Sequence, residues 1–309
     1  MNTRFEIVLH GENLVMLQSA GEAALDEIER LESQLSIFKP ASEISRVNRY
    51  AATKPVPVSP PVFELLLQSR ALTRETGGAF DITVAPLVKC WGFLGASGVL
   101  PRPDQVAEAR AKVGMHRVQL DPENFTVRFE REGMMLDLGA IGKGYAVDCA
   151  VEVLREAGIT SAFIHGGTSS VSALGHPPGA EAWVTTLPRP IESSLEPRGN
   201  HPTEAGDFGL LSLREQSLGV SAVWGKSFKS GTVSYGHVID PRSGQPVQRA
   251  SLAAVVLPSA TEADALSTAL LALGEDGLGL LASLHPGLSA LVAVRATSES
   301  GFRVVKLGL

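Results

Sequence analysis

The segment LDLGAIGKGYAVD, residues 136–148, is the stretch that decides the fold class. The apolar run Met134–Leu138 predicts a strand, and a helical pattern follows over about Gly144–Ala157. Between them lies a glycine-rich turn. Its backbone N–H groups would suit a phosphate, and Lys143 can add positive charge to the same oxygens. Turns of this kind begin several nucleotide-binding folds, which differ in the spacing of their glycines.

The spacing of this turn matches neither of two common nucleotide-binding motifs. A P-loop needs a glycine five residues before Gly142, where this chain has Asp137, and Ser or Thr directly after the lysine, where it has Gly144. Gly142-x-Gly144-x-x-Val147 is a degenerate dinucleotide fingerprint that lacks the third glycine and a clear downstream acid. Because part of this fingerprint is present, a nicotinamide oxidoreductase remains a rival interpretation.

The order of the predicted elements around this turn favours an α+β fold. The predicted strands come in hairpin-like runs separated by helices, without the regular βα alternation of a doubly wound fold. We therefore expect mixed, largely antiparallel sheets with packed helices, which counts against the nicotinamide oxidoreductase. Apolar periodicity predicts helices at about residues 21–38, 61–76, 103–113, 144–157, 261–273 and 278–284, and strands at about residues 4–10, 118–120, 126–129, 134–138, 162–165, 209–213, 217–223, 236–239, 252–257, 290–294 and 303–307.

Length and composition bear on the domain organisation. The 309 residues suit one domain spanning 1–309 or two intimately packed lobes. A hydrophobic content of 44% and a charged content of 19% are ordinary for a globular protein with a real core. Over about residues 188–207 the composition changes to Pro, Ser, Glu, Gly and His, which predicts an exposed loop without catalytic residues.

Charge, cysteine count and hydropathy argue against several classes of protein. The net charge of −6, from 27 Lys and Arg against 33 Asp and Glu, argues against binding to nucleic acid. Cys90 and Cys149 provide neither a disulfide framework nor a CxxC metal site, so we expect both in the core. No apolar run reaches the roughly 18 residues of a membrane span. The first residues have a strand pattern and no signal-peptide pattern, which slightly favours a cytoplasmic location.

Two polar residues lie one turn apart in the last long predicted helix. Asp264 and Thr268 share one face, because residues i and i+4 are neighbours on a helix. Their oxygens could coordinate a small hard cation such as Mg²⁺ while leaving room for phosphate. A structural alternative also fits: Thr261-x-x-Asp264 is close to a capping box with Thr261 as N-cap, and Thr268 could bond a carbonyl one turn back. The local sequence leaves both interpretations open.

Two further segments combine glycine with ionisable side chains. In TGGAFDITVAPLVKCWGF (76–93), the paired glycines predict a helix end and Asp81 could cap the turn that follows. GHVIDPRSGQPV (236–247) joins a strand end to an Asp-Pro turn. His237 titrates near neutrality and could accept a proton from an attacking hydroxyl, with Asp240 holding its imidazole. In the alternative interpretation, Asp240 caps the turn and His237 is an ordinary, partly buried histidine.

Taken in order, residues 76–93, 136–148, 236–247 and 261–268 resemble the motifs of the ApbE family, flavin transferases that move FMN from FAD onto a protein hydroxyl. The resemblance runs from the first residue to about Gly274. It implies one ApbE-like domain with a T-fold-like α+β architecture. The implied activity is Mg²⁺-dependent transfer of FMN from FAD to a Thr or Ser hydroxyl of an acceptor flavoprotein, with release of AMP. Alternatives are an FAD pyrophosphatase that yields FMN and AMP, and a non-catalytic flavin-binding protein.

The resemblance also implies roles for particular residues. It implies that Mg²⁺ is held by Asp264, Thr268 and the backbone carbonyl of Ala140, an all-oxygen set completed by water and phosphate. It makes His237 the general base. FAD, as the substrate, would contact Phe38, Ala79, Phe80, Asp81, Asp137, Lys143 and Val238.

Overall fold

The molecule is built from one large antiparallel sheet, several short β-ribbons and packed helices. The computed structural model describes residues 3–95, 98–187, 189, 208–231, 233–295 and 301–309. In this part of the chain the strands are β1 (Phe5–Leu9), β2 (Val56–Pro57), β3 (Val118–Asp121), β4 (Thr126–Phe129), β5 (Ala162–Gly166), β6 (Ser170–Leu174), β7 (Trp183–Leu187), β8 (Gly209–Leu213), β9 (Gln216–Ala222), β10 (Ser227–Ser230), β11 (Val233–Gly236), β12 (Ile239–Asp240), β13 (Gln245–Pro246), β14 (Leu252–Leu257), β15 (Ser289–Arg295) and β16 (Phe302–Leu307). The helices are α1 (Leu14–Leu35), α2 (Glu43–Tyr50), α3 (Pro60–Glu75), α4 (Ala85–Cys90), α5 (Pro103–Arg110), α6 (Gly142–Glu156), α7 (Ala260–Leu273) and α8 (Asp276–Leu284).

The large sheet contains seven strands in the order β1-β5-β6-β9-β14-β15-β16. Every neighbouring pair in it is antiparallel. The smaller sheets, β2-β4-β3 and the ribbons β7-β8, β10-β11 and β12-β13, are antiparallel as well. The predicted α+β fold class with largely antiparallel sheets is therefore confirmed.

Strand β14 shows how the sheet is covered on both faces. Every residue of its sequence LAAVVL is buried. Since successive side chains of a strand point to opposite faces, residues 253, 255 and 257 join the core on the helix side, and residues 252, 254 and 256 join a second core. On that second face the ribbon β7-β8 supplies Trp183, Leu187 and Leu213. Burial on both faces explains why this strand is a continuous apolar run.

Helices α6 and α7 pack against each other and against the sheet, α7 mainly on β9 and β14 and α6 on β5 and β6, and α1 packs on α6. Because α7 is enclosed, its sequence is apolar on nearly all sides and most of its residues are buried. It approaches the sheet closely at Gly219 of β9, where a Cβ atom would overlap the carbonyl oxygen of Ala263. The polar residues Asp264 and Thr268 therefore stand out in an apolar, tightly packed helix.

A smaller aromatic core supports the ribbon β10-β11. Phe228 and Tyr235, which pair across this ribbon, have ring centroids 5.3 Å apart. Trp91 packs on Tyr235 at 5.4 Å, and its indole N–H donates to the Gly244 carbonyl at 2.8 Å. The end of β11 leads directly into His237, so this core holds the backbone on which that histidine sits.

The strand predicted over residues 134–138 is wrong. This segment has no regular secondary structure and pairs with no strand in the described structure. The Leu136 N–H donates to the Asn48 side chain at 2.7 Å, and the Asp137 N–H donates to the Ile82 carbonyl at 2.7 Å. An apolar run thus lies in the core without a ladder, because a side chain and a loop carbonyl accept its amide hydrogens.

Other predicted boundaries differ in ways that capping explains. The first helix begins at Leu14 because Asn13 is its N-cap and accepts the Met16 N–H at 3.1 Å. The strand predicted over 236–239 is divided, since β11 ends at Gly236 and β12 begins at Ile239. The loop predicted over 188–207 lies outside the described residues apart from residue 189. The domain organisation stays a prediction.

Among the described residues, every helix is too short or too polar to cross a membrane.

Candidate active site

Asp264 is the centre of the candidate site. Its side chain is buried, and the backbone N–H of Gly144 donates to Oδ2 at 3.0 Å. The Lys143 ammonium lies 3.4 Å from Oδ1 and 3.5 Å from Oδ2. A buried carboxylate requires charge compensation and hydrogen bonds. One amide and one lysine at long range leave acceptor positions on Asp264 for a further cation.

The bond from Gly144 also affects the carbonyl of Ala140. In a regular helix the Gly144 N–H would donate to the carbonyl four residues earlier, which is that of Ala140. Here α6 begins at Gly142, and the Gly144 N–H is directed to Asp264. The Ala140 carbonyl therefore does not receive that helical bond, which suits an oxygen expected to bind a metal.

Thr268 lies one turn beyond Asp264 in a hydroxyl cluster. Its Oγ1 donates to the Asp264 carbonyl at 3.2 Å, as the structural alternative predicted, and lies 2.9 Å from Ser221 Oγ. Ser221 Oγ also lies 2.8 Å from Ser267 Oγ. Sequence reasoning missed Ser221 because it lies on β9, 47 residues before Thr268. These hydrogen bonds hold the Thr268 hydroxyl against the backbone carbonyl of Asp264 and against Ser221 of β9.

The N-terminus of α7 does not have the predicted capping box. Its N-cap is Ser259, whose hydroxyl accepts the Glu262 N–H at 3.2 Å, so the proposed N-cap role of Thr261 is wrong. Thr261 is the second helical residue, and its hydroxyl donates to Asp148 of α6 at 2.6 Å. Because the N-cap is Ser259 and not Thr261, Asp264 is the fifth residue of the helix and takes no part in capping it.

Gly144 allows the two helices to approach. A Cβ atom at this position would overlap the Ala260 carbonyl and lie 2.8 Å from Asp264 Cβ. We expect Gly144→Ala to lower the free energy of unfolding by about 1–3 kcal/mol, the usual cost of overpacking, and to displace Asp264. Denaturant unfolding measures this. Gly279→Ala is the matched control, since nothing lies within 4 Å of its Cβ position in α8 and alanine favours a helix. Equal stability of both variants would contradict the close approach.

His237 is oriented by backbone. Its Nδ1 lies 3.1 Å from the Lys226 carbonyl, so Nδ1–H donates and Nε2 carries the lone pair in the neutral ring. Burial lowers the pKa of His237, and the nearby charges of Lys226 and Lys143 lower it further, against the opposing effect of the Lys226 hydrogen bond. The ring also packs edge-on against Phe93 at 6.5 Å. These contacts hold a neutral imidazole with an available acceptor nitrogen.

The predicted role of Asp240 in holding this imidazole is wrong. Both carboxylate oxygens of Asp240 accept hydrogen bonds from the Arg242 guanidinium, at 3.0 Å and 2.9 Å. The Arg242 backbone N–H also donates to Asp240, at 2.9 Å, as in an Asx turn. Arg242, which follows the proline, therefore supplies the hydrogen-bond donors of this carboxylate, and Asp240 caps its own turn.

Asp137 and the glycine-rich turn lie beside Lys143. Asp137 accepts the Gly139 N–H at 2.9 Å. Burial raises the pKa of Asp137, while the Gly139 bond and the charges of Lys143 and Lys226 oppose that rise. The other amide donors of the turn with protein acceptors are those of Ile141, Gly142 and Gly144. Protein oxygens therefore already accept several of these N–H groups, and phosphate binding by the remaining turn amides stays a prediction.

The TGGAFD segment is largely internal. The side chains of Ala79 and Phe80 are buried in the main core. Asp81 accepts hydrogen bonds from the Thr83 N–H and hydroxyl at 2.8 Å and 2.6 Å, and from the Met115 N–H at 3.0 Å. Asp81 therefore caps the turn that follows it, as the structural alternative predicted. Burial raises the pKa of Asp81, and these hydrogen bonds oppose the rise.

The outer side of the TGGAFD segment borders an open cleft of about 420 Å³ that Asp81 and Arg242 help to line. None of Lys143, His237 and Asp264 lines this cleft. Contact of residues 79–81 with FAD stays a prediction, and with their side chains directed inward it would rest on the backbone.

Phe38 and Val238 differ in how far they are exposed to solvent. Phe38 follows α1 and is 66% exposed, which is unusual for a large aromatic side chain. Val238 is half-buried next to His237, and its carbonyl accepts the Val247 N–H at 2.9 Å. Asn48 of α2 bonds both the N–H and the carbonyl of Leu136, which ties α2 to the segment beside Asp137. Contact of Phe38 and Val238 with FAD stays a prediction.

The metal-binding potential of the site rests on mixed oxygen donors. Among the described residues, no group of three or more His, Cys, Asp and Glu side chains could hold a metal ion. A set of one carboxylate, one hydroxyl and one carbonyl is compatible with that finding, because it needs only one acidic residue. Such sets suit hard cations that keep several waters.

Comparisons with known proteins agree on one family. The ApbE family model matches residues 1–292. An FAD:protein FMN transferase of Klebsiella pneumoniae is 31% identical over 283 residues, which is 88% of this chain and 83% of the relative. One from Treponema pallidum is 30% identical over 279 residues, covering 87% and 76%. The crystal structure of an ApbE protein from Thermotoga maritima matches with a TM-score of 0.85 and 26% identity, over 99% of this chain and 94% of the other.

Proposed function

This chain belongs to the ApbE family, and from that premise we propose that it is a Mg²⁺-dependent FAD:protein FMN transferase that releases AMP. The acceptor is a Thr or Ser hydroxyl of a protein. The observation that carries the proposal is the convergence of Lys143, Gly144 and Asp264 from two helices, near a histidine whose Nδ1 is fixed. Residues 120 positions apart in the chain meet there around one buried carboxylate.

The donor set fits a hard divalent cation. Asp264, Thr268 and the Ala140 carbonyl would hold it, since all three offer oxygen and the Ala140 carbonyl lacks its helical donor. When bound, Mg²⁺ would neutralise charge on the oxygens of the FAD diphosphate. The long Lys143–Asp264 contact supports this assignment, because a buried carboxylate with a loosely placed counter-ion is under-compensated.

The residues around Asp264 supply positive charge for a diphosphate. Lys143 has 21% of its side chain exposed, so its ammonium can turn from Asp264 towards substrate oxygens. Lys226 is exposed at the base of the ribbon β10-β11 and influences both Asp137 and His237 electrostatically. Two cations near one site would stabilise the charge that develops during phosphoryl transfer.

His237 would act as the general base. The acceptor hydroxyl oxygen forms a bond to the FMN phosphorus, and the bond from that phosphorus to the bridging oxygen of AMP breaks. The hydroxyl proton passes to Nε2 of His237, whose Nδ1–H remains bonded to the Lys226 carbonyl. The products are a phosphoester-linked FMN protein and AMP. The lowered pKa of His237 favours the neutral ring, whose Nε2 can accept a proton.

We expect incubation with FAD, Mg²⁺ and an acceptor domain carrying a target threonine to add an FMN-sized mass to the acceptor and to release AMP. Mass spectrometry and an AMP assay measure the two products. EDTA should stop both, and an acceptor whose threonine is replaced by valine should gain no mass. Free FMN and AMP beside an unmodified acceptor would instead indicate an FAD pyrophosphatase. Bound FAD without turnover would indicate a flavin-binding protein.

A further inference from the structure

Asp148 forms a second contact between the two helices that carry the candidate site. The carboxylate lies on α6 and accepts three hydrogen bonds from the start of α7: Ala260 N–H to Oδ1 at 2.8 Å, and Thr261 N–H and hydroxyl to Oδ2 at 2.9 Å and 2.6 Å. The Ser259 hydroxyl donates a fourth, at 2.8 Å. The bonds join residues 111–113 positions apart in sequence.

These bonds do more than an ordinary cap requires. The first amides of a helix lack intrahelical partners and are usually satisfied by a nearby side chain. In α7 the local N-cap Ser259 already accepts the Glu262 N–H through its side chain and the Ala263 N–H through its carbonyl. The two remaining amides, those of Ala260 and Thr261, are satisfied from α6. The cap is therefore also a cross-link between the two helices.

The Asp148 cross-link lies one turn from the contact of Gly144 with Asp264. Asp148 is four residues after Gly144 on α6, and Asp264 is four residues after Ala260 on α7. Residues i and i+4 share one helix face, so two ties one turn apart join the same two faces. One tie alone would permit α7 to rotate about it. Two ties determine both the rotation and the translation of α7 against α6.

We propose that Asp148 is a positioning residue for the metal site: it fixes α7 so that the Asp264 carboxylate faces Lys143 and the Ala140 carbonyl. The inference rests on the proposed function, because it concerns the cation assigned there to Asp264 and Thr268. Asp148 itself is bonded to the start of α7 and does not bind the cation. Its effect on the site passes through the orientation of Asp264.

The test is Asp148→Asn, with Mn²⁺ alone as the probe for the same oxygen ligands and free Mn²⁺ measured by electron paramagnetic resonance. Asparagine keeps the shape but loses the charge, and its NH₂ group faces donors. We expect Mn²⁺ affinity to fall roughly 10- to 100-fold, as for other residues that orient metal ligands. Flavinylation should be lost at low Mg²⁺ and recover at high Mg²⁺, with an unchanged KM for FAD at saturating metal.

Two further comparisons separate positioning from stability. Asn13→Ala removes the N-cap of α1, so it should lower the thermal midpoint while leaving Mn²⁺ affinity unchanged. Thr261→Val removes one donor to Asp148, whereas Thr261→Ser keeps it; only the valine variant should weaken Mn²⁺ binding.

A folded Asp148→Asn protein with wild-type Mn²⁺ affinity would overturn the inference. If the wild type binds Mn²⁺ but flavinylates nothing, the proposed function fails while the inference about Asp148 stands.

Discussion

Replacing Asp264 with alanine is expected to abolish FMN transfer while leaving the fold largely intact. Asp264 supplies the only carboxylate of the proposed metal set, and its Oδ2 is the acceptor of the Gly144 N–H. Loss of bound Mg²⁺ would remove several kcal/mol of transition-state stabilisation, which corresponds to about a 10³-fold or greater loss in rate. The measurement is flavinylation of the acceptor over a range of Mg²⁺ concentrations, with circular dichroism as the check on folding.

Two variants make this result specific to the carboxylate charge. Asp264→Asn preserves the size of the side chain and should be almost as inactive as the alanine variant, because a neutral amide binds Mg²⁺ poorly. Asp276→Ala removes an acidic residue from the first turn of α8, where the side chain is 90% exposed, and should be fully active. Near-normal transfer by Asp264→Ala at low Mg²⁺ would refute the metal assignment.

Replacing His237 with alanine is expected to lower kcat by roughly 10²- to 10⁴-fold, the usual contribution of a general base. The KM for FAD should change little, because the proposed role concerns the acceptor proton. The surface histidine His176 provides the matched control, and His176→Ala should retain wild-type rates. A His237→Ala variant with wild-type kcat would return His237 to a structural role.

The pH dependence provides an independent measure of the same base. Burial lowers the pKa of His237 below its usual value of 6.5, so the ring loses its proton at a lower pH than a free imidazole. Activity that requires the neutral ring should therefore persist as pH falls, and the acid limb of the kcat/KM profile, which reports the free enzyme, should have its midpoint below 6.5. That limb should be missing from the His237→Ala variant. A midpoint at or above 6.5 in the wild type would contradict the proposed base.

The sequence by itself determined the helix that presents Asp264 and Thr268, because periodicity and i,i+4 spacing are local properties of the chain. The α+β class also followed from the order of the elements. The motifs at 76–93, 136–148, 236–247 and 261–268 were sufficient to suggest the family, which the comparisons confirmed. Each helix, strand and motif used in these inferences was recognised from residues that are near one another in sequence.

The tertiary structure alone decided which partners these residues have. The Lys226 carbonyl orients His237, while Arg242 engages the nearby Asp240. Residues 134–138 look like a strand, but Leu136 and Asp137 bond to Asn48 and to the carbonyl of Ile82. Local pattern cannot reveal such pairings because any side chain or carbonyl that the fold brings near can satisfy a buried donor.

The two contacts between α6 and α7, the Asp148 cross-link and the contact of Gly144 with Asp264, depend most strongly on the fold. Asp148 ends the segment 136–148, yet its partners lie more than 110 residues later, at the start of α7. Gly144 appeared to belong to a phosphate-binding turn, whereas its missing Cβ makes room for α7 and its N–H binds Asp264. Both residues act through the packing of two helices. That packing is set by the shape of the assembled core, and no short stretch of the chain encodes it.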